Sequence, residues 1–320
     1  MAGVERVPPD LGRDHGRGTC FGYEVDTALS LLYLREGRGE RLEVSATEQI
    51  RRSEDARLVY EWLPLPPHQF PAQLFQSGPH YQLSVAGGGW FDVDPANRTI
   101  VTAGIEDPIR REHLLWGVPC ALCFLHRGDL AVHASAVDLA GSAALFAAPG
   151  RFGKSTMAAA FLQAGHRVLS EDLTCVRPDS TPSVIPGPAM LRLRRDIAGH
   201  FRLPLTDEVH STEDRITLRF RGSQRGNGLP VPLQAIILLR ETSDAIRTER
   251  VPATEAIRDL WVLNIRIPGN LGDAQCFAGV TDLVRRVPVW NLYRPLTPEQ
   301  LPRVVDYILS ECLAQIQDAS

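Results

Sequence analysis

The sequence predicts an α/β protein with a β-rich front part, and three observations carry that prediction. Residues 142–147 (SAALFA) form an apolar run, residues 148–156 (APGRFGKST) a glycine-bearing turn, and residues 157–162 (MAAAFL) a helix-like segment. Together they read as strand, turn and helix. Residues 166–170 (HRVLS) then supply a further strand, so strand and helix alternate, as in α/β folds. Ahead of this unit, residues 21–104 carry short runs of β character broken by turn residues. We therefore divide the chain into a β-rich accessory or recognition domain over 1–106, with a loose tail over 1–20, and an α/β domain over 107–320.

The bulk numbers agree with that division. A chain of 320 residues, 44% hydrophobic and 22% charged, is long enough for one large or two ordinary domains. A net charge of −4 speaks against adhesion to nucleic acid or a membrane surface. No apolar run approaches the span of a bilayer, and the polar N-terminus lacks a signal-peptide core. A cytoplasmic location is the expectation. The six cysteines are scattered and are read as reduced thiols. Cys120 and Cys123 form a lone CxxC in an apolar stretch, with no second pair to complete a zinc site.

In order, residues 30–34, 57–62, 80–85 and 99–102 are the clearest β runs, punctuated by residues 63–67 (LPLPP) and 87–89 (GGG). Asp107 and Pro108 open a helix expected to run to about residue 127. Residues 130–137 (LAVHASAV) read as one strand, with His133 and Ser135 on one face and Val132, Ala134 and Ala136 on the other. The helix after the turn stops at Gly165, a residue suited to the left-handed C′ position. Residues 235–239 and 289–293 are buried strands, residues 273–286 a helix, and residues 298–316 an amphipathic C-terminal helix.

The chemistry concentrates at the turn. A strand, a turn ending in Gly-Lys-Ser and a helix form the setting of a phosphate-binding loop, in which backbone N–H groups at a helix N-terminus cradle phosphate oxygens. The binding set is then Pro149, Gly150, Arg151, Phe152, Gly153, Lys154, Ser155 and Thr156, with Lys154 on the β/γ-phosphates and Ser155 on Mg²⁺. Ala148 stands where such loops begin with glycine; a positive φ there would cost roughly 1–2 kcal/mol. Glu171 and Asp172 follow the strand 166–170, at the sheet edge where ligands of α/β proteins sit. Phosphoryl transfer needs one carboxylate for the metal and one for the attacking hydroxyl. The basic stretch 192–196 (RLRRD) is either a solvated helix start or a clamp on phosphate or an acidic acceptor.

Residues 133–137, 148–156 and 165–172 together resemble the catalytic domain of HPr serine kinase/phosphorylase. The resemblance implies a P-loop catalytic domain of the HPr-kinase and PEP-carboxykinase-like type. Residues 1–106 resemble instead the front part of the shorter HPr-kinase-like proteins associated with ribosomally made peptides, including lasso-peptide kinases. It further implies ATP and Mg²⁺ as cofactors, Lys154 and Ser155 on phosphates and metal, and His133 lining the site. Asp172 would be the base and Glu171 the metal partner or orienter, or the two exchanged; the first acid is Glu where the family has Asp. Residues 188–196 replace the family's arginine-glycine signature, which puts neither HPr nor the reverse reaction forward. The acceptor expected is a peptide or small protein, and the family's habit of oligomerising extends to a homo-oligomer here. The rival readings are a kinase of small-molecule hydroxyls and a non-catalytic, nucleotide-dependent peptide-binding module.

Overall fold

The computed structural model describes residues 17–62, 71–243, 245–267 and 273–312. The fold is mixed α/β, with three sheets among the described residues. The expected tail over 1–16, the turn at 63–67 and the end of the C-terminal helix beyond 312 lie outside them.

The first sheet has eight strands, in the spatial order Thr19–Cys20, Tyr23–Thr27, Glu40–Ala46, Thr99–Ala103, Gly89–Asp94, His80–Val85, Ala72–Ser77 and Arg57–Trp62. Three of the four expected runs are strands here, but residues 30–34 are not. Their backbone is held by a side chain instead: Leu32 N and Tyr33 N donate to the Glu112 carboxylate at 2.7 and 2.9 Å. Residues 19 and 20, assigned to the tail, are buried and paired in the sheet.

The helix expected from 107 to about 127 is two helices, Pro108–Leu115 and Val118–His126. Pro119 lacks the N–H a continuing helix would use, so it fits only a first turn, and the chain re-starts at Gly117. The second of these helices buries Cys120, Leu122 and Phe124 in one core with Tyr23, Val25 and Phe91 of the first sheet. Cys120 and Cys123 are free thiols inside that core.

The second sheet has nine strands. Ala143–Ala147 is flanked by Ala134–Asp138 on one side and runs parallel to Val231–Glu241 on the other, which in turn runs parallel to Val289–Arg294. Ala143–Ala147, covered on both faces, is apolar throughout. Phe146 faces the helix Lys154–Gln163, and Leu145 shares a core with Leu260 and Val280 from helices Ala253–Leu263 and Asp273–Arg286. A third sheet, Met190–Arg194, Arg215–Phe220 and Thr206–Ser211, closes over the helix Lys154–Gln163 with Leu191 and Leu218.

The single strand expected over 130–137 is broken at His133. Leu130–Val132 pairs with Thr174–Arg177, whereas Ala134–Asp138 pairs with Ala143–Ala147 and Arg167–Ser170. Between them His133 N leaves the ladder and donates to Leu263 O at 2.8 Å. The C-terminal segment is likewise divided, into a short 3₁₀ turn, the helix Leu301–Tyr307 and one wider turn over Ile308–Cys312. No helix among the described residues is long and apolar enough to cross a membrane.

Candidate active site

The turn 148–153 lies at the C-terminal end of Ala143–Ala147, and the helix Lys154–Gln163 starts from it with Gly153 in the left-handed region at φ 82°. Ala148 does not adopt a positive φ, contrary to the cost set out above. Arg151 and Gly153 do, at 70° and 82°, so the turn's strain sits inside the loop. Arg294 explains why Gly153 must be glycine. This arginine is buried at the end of Val289–Arg294 and donates from Nη2 to Phe152 O at 2.8 Å. A Cβ on Gly153 would lie 2.7 Å from that same Nη2. Burial lowers the Arg294 pKa to about 10, so the group stays charged at neutral pH. Gly153→Ala should therefore lose about 1–2 kcal/mol from its φ alone, and more from the clash. The midpoint of thermal unfolding would check it.

Lys154 is buried, with its ammonium group turned back under the loop. It donates to Ala148 O at 2.9 Å and Pro149 O at 3.0 Å, and meets His133 Nε2 at 2.9 Å. An ammonium can only donate, so Nε2 accepts and the His133 proton sits on Nδ1. That N–H points at Asp172 O, 3.0 Å away. Burial lowers the pKa of both His133 and Lys154; the charge of Lys154 adds to the effect on His133, and Asp172 opposes it in both cases. Ser135, buried on the neighbouring strand, donates to Lys154 O at 3.0 Å and ties the first helical turn to the sheet.

The acidic pair follows Arg167–Ser170, which pairs with Ala134–Asp138, and reaches the same place. Ser155 Oγ donates to Glu171 Oε1 at 2.5 Å. The Glu171 side chain is only 2% exposed, whereas that of Asp172 is 49% exposed. Asp172 sits in the left-handed region at φ 67°, a strained conformation of the kind found at functional sites. Arg192 spans both acids: Nη2 lies 3.0 Å from Asp172 Oδ2, and Nε 3.5 Å from Glu171 Oε2. Burial raises the pKa of Glu171, against the pull of Arg192. Burial pushes Asp172 the same way, but Arg192, then His133 and Lys154, outweigh it and leave its pKa below the ordinary carboxylate value.

The residues present offer oxygen ligands of the kind a hard divalent cation takes. Ser155 and Glu171 put two oxygen donors side by side, and the buried Glu171 Oε2 has no hydrogen-bond partner. No group of three or more His, Cys, Asp or Glu able to hold a metal occurs among the described residues. Two protein oxygens completed by phosphate and water are what Mg²⁺ commonly takes.

His133, Lys154, Ser155, Glu171 and Asp172 thus meet at one end of the second sheet, with the loop residues 149–153 beside them. Arg192 is there too, on the strand Met190–Arg194 rather than on a solvated helix start. Reading from sequence misses Arg294, and places Ser135 beside His133 without assigning it a role. The available signal for Arg294 was an arginine closing an apolar run, residues 289–293, that reads as a buried strand.

No family model matches the chain, and no curated protein matches it. Among solved structures it is similar to the HPr(Ser) kinase/phosphatase from Coxiella burnetii, at 10% identity and a TM-score of 0.30, over 58% of this chain and 98% of that one.

Proposed function

We propose that the chain is an ATP- and Mg²⁺-dependent kinase of the HPr-kinase-like kind, transferring the γ-phosphoryl group to a hydroxyl, a serine on a peptide or small protein. A ribosomally made peptide precursor fits this description. The catalytic P-loop unit is residues 107–320 and the β-rich recognition unit residues 1–106, working in the cytoplasm. The observation that carries the reading is the meeting of the loop lysine, the Ser155–Glu171 pair and the half-exposed Asp172 within one cluster.

ATP supplies the phosphoryl group and Mg²⁺ the counter-charge. Lys154 and the N–H groups of the loop bind phosphate oxygens and stabilise charge on the group in transfer. Ser155 and Glu171 would hold the metal. Asp172, the half-exposed acid with the lowered pKa, would take the proton of the acceptor hydroxyl as that oxygen bonds to the γ-phosphorus and the bond from phosphorus to ADP breaks, ADP leaving. Glu171 is poorly placed for that task, because its side chain is enclosed and Oε1 is taken by Ser155. His133 relays position from Lys154 to the Asp172 backbone.

The test is incubation of the purified chain with Mg·ATP and serine peptides, read by mass spectrometry. Lys154→Ala should lower transfer by about 10²–10³-fold, the effect of removing one donor to transition-state charge, and chelation of Mg²⁺ should stop it. Transfer that survives Lys154→Ala unchanged, or a chain that does not bind Mg·ATP, would overturn the reading.

A further inference from the structure

The sheet formed by Met190–Arg194, Arg215–Phe220 and Thr206–Ser211 has two unlike faces. Leu191, Leu193 and Leu218 lie on the face turned to the core. Residues directly opposite in an antiparallel pair share a face. The register Arg192↔Thr217, Arg194↔Arg215 and Met190↔Arg219 therefore gathers the arginines on the other face.

These arginines differ in how far they are neutralised. Arg192 is spent on Glu171 and Asp172, and Arg194 is paired with Asp196. Arg219 and Arg221 share one carboxylate, Asp207, at 3.0 and 3.2 Å. Arg215 is exposed, and its side chain has no ion pair or hydrogen bond among the described residues. It is a diagonal neighbour of Arg192 across the two strands, a separation of about 7–8 Å between such positions. Its charge also reaches both acids, drawing the pKa of Glu171 and of Asp172 downward. One free cation thus overlooks Asp172. Arg219 lies at the far end of this face, beyond Thr217 and Met190, which are 3% and 5% exposed, so no open surface joins it to Arg215.

We propose that the acceptor is an acidic peptide, with its hydroxyl at Asp172 and a carboxylate beside that hydroxyl on Arg215. The proposal rests on the kinase reading for the hydroxyl, but the contact at Arg215 stands on its own charge. A site already holding Glu171, Asp172 and a polyphosphate repels an acidic acceptor unless cations line its approach. A peptide holds a carboxylate and a serine hydroxyl at a fixed separation, so one cation beside Asp172 can select the residue next to the serine.

The probes are short fluorescent peptides carrying a serine flanked by glutamates, or the same serine flanked by lysines, in the presence of Mg²⁺ and a non-hydrolysable ATP analogue. Anisotropy should show the glutamate peptide binding at least about tenfold more tightly, the scale of one or two charge-assisted contacts, and more weakly as salt rises. Arg215→Glu should remove that preference. Arg57→Glu, the same change of charge on an exposed strand of the first sheet, should leave it intact. In the transfer assay Arg215→Ala should raise KM for the glutamate peptide with little change in kcat. Equal binding of the two peptides, or binding indifferent to Arg215→Glu, would overturn the proposal. Selective binding without any transfer would sink the kinase reading and leave the contact at Arg215. Transfer to serine peptides without preference for acidic ones would do the reverse.

Discussion

Asp172→Asn should lower phosphoryl transfer by about 10²–10⁴-fold, the range a general base contributes, while the protein stays folded. Asparagine tolerates the left-handed backbone better than most residues, so the φ of 67° at this position is kept. Its side-chain oxygen can still accept from Arg192 Nη2. What disappears is the capacity to take a proton. The pH dependence sharpens the expectation. Because Arg192, His133 and Lys154 hold the Asp172 pKa down against its burial, the acid should stay ionised through the ordinary aspartate range near about 3.9. Titration of Asp172 itself therefore takes nothing from the wild-type rate until the pH falls below that range. The same sign governs stability: a depressed carboxylate pKa contributes stability above its unfolded value, lost as pH falls through the folded value. Initial rates against pH for wild type and variant, each checked by circular dichroism, would decide the matter. A variant keeping a tenth or more of the wild-type rate would remove Asp172 as base.

Arg35→Ala should lose about 3–5 kcal/mol, a large share of the 5–15 kcal/mol typical of a folded domain. Arg35 is 1% exposed and makes no ion pair with a carboxylate among the described residues. Its guanidinium donates to the carbonyls of Gly187, Arg225, Val168 and Leu169 at 2.6–3.1 Å. Burial lowers its pKa to about 10, still well above neutrality. Truncation leaves those acceptors unpaired, at about 1–3 kcal/mol for each that water cannot reach, and opens a cavity besides. Arg35→Lys should recover only part, since an ammonium lacks the planar fork. Urea unfolding midpoints would measure both, and a loss under about 1 kcal/mol would show that water replaces the arginine cheaply.

What could be read in advance was local. The Gly-Lys-Ser turn, the helix it opens, Gly165 at φ 94° after that helix and the acids closing the following strand all lie within forty residues of His133. Each rests on the chemistry of its neighbours along the chain. What could not be read was set by partners far off in sequence. Residues 30–34 have the apolar content of a strand, yet their N–H groups go to a carboxylate 79 and 80 residues away. The break at His133 depends on Leu263 O, and no period in residues 130–137 reports it. Arg192 was visible as a basic residue, but its hold on both acids requires the third sheet, whose strand pairing the sequence does not display. Ala148 is the instructive case. Glycine's absence there looked like a cost, but the left-handed turns fall at Arg151 and Gly153 instead.

The reach of Arg35 bears on how this protein could be re-engineered. It leaves the front of the chain to grip the backbone of residues 168 and 169, in the strand that leads to the acids. Helix Val118–His126 meanwhile fills the underside of the first sheet. The front sheet is consequently no interchangeable cartridge. A chimera that swaps it to redirect the protein toward a new target would have to bring along a matching arginine and a matching bed of apolar side chains, or the strand that presents Glu171 and Asp172 would lose its anchor.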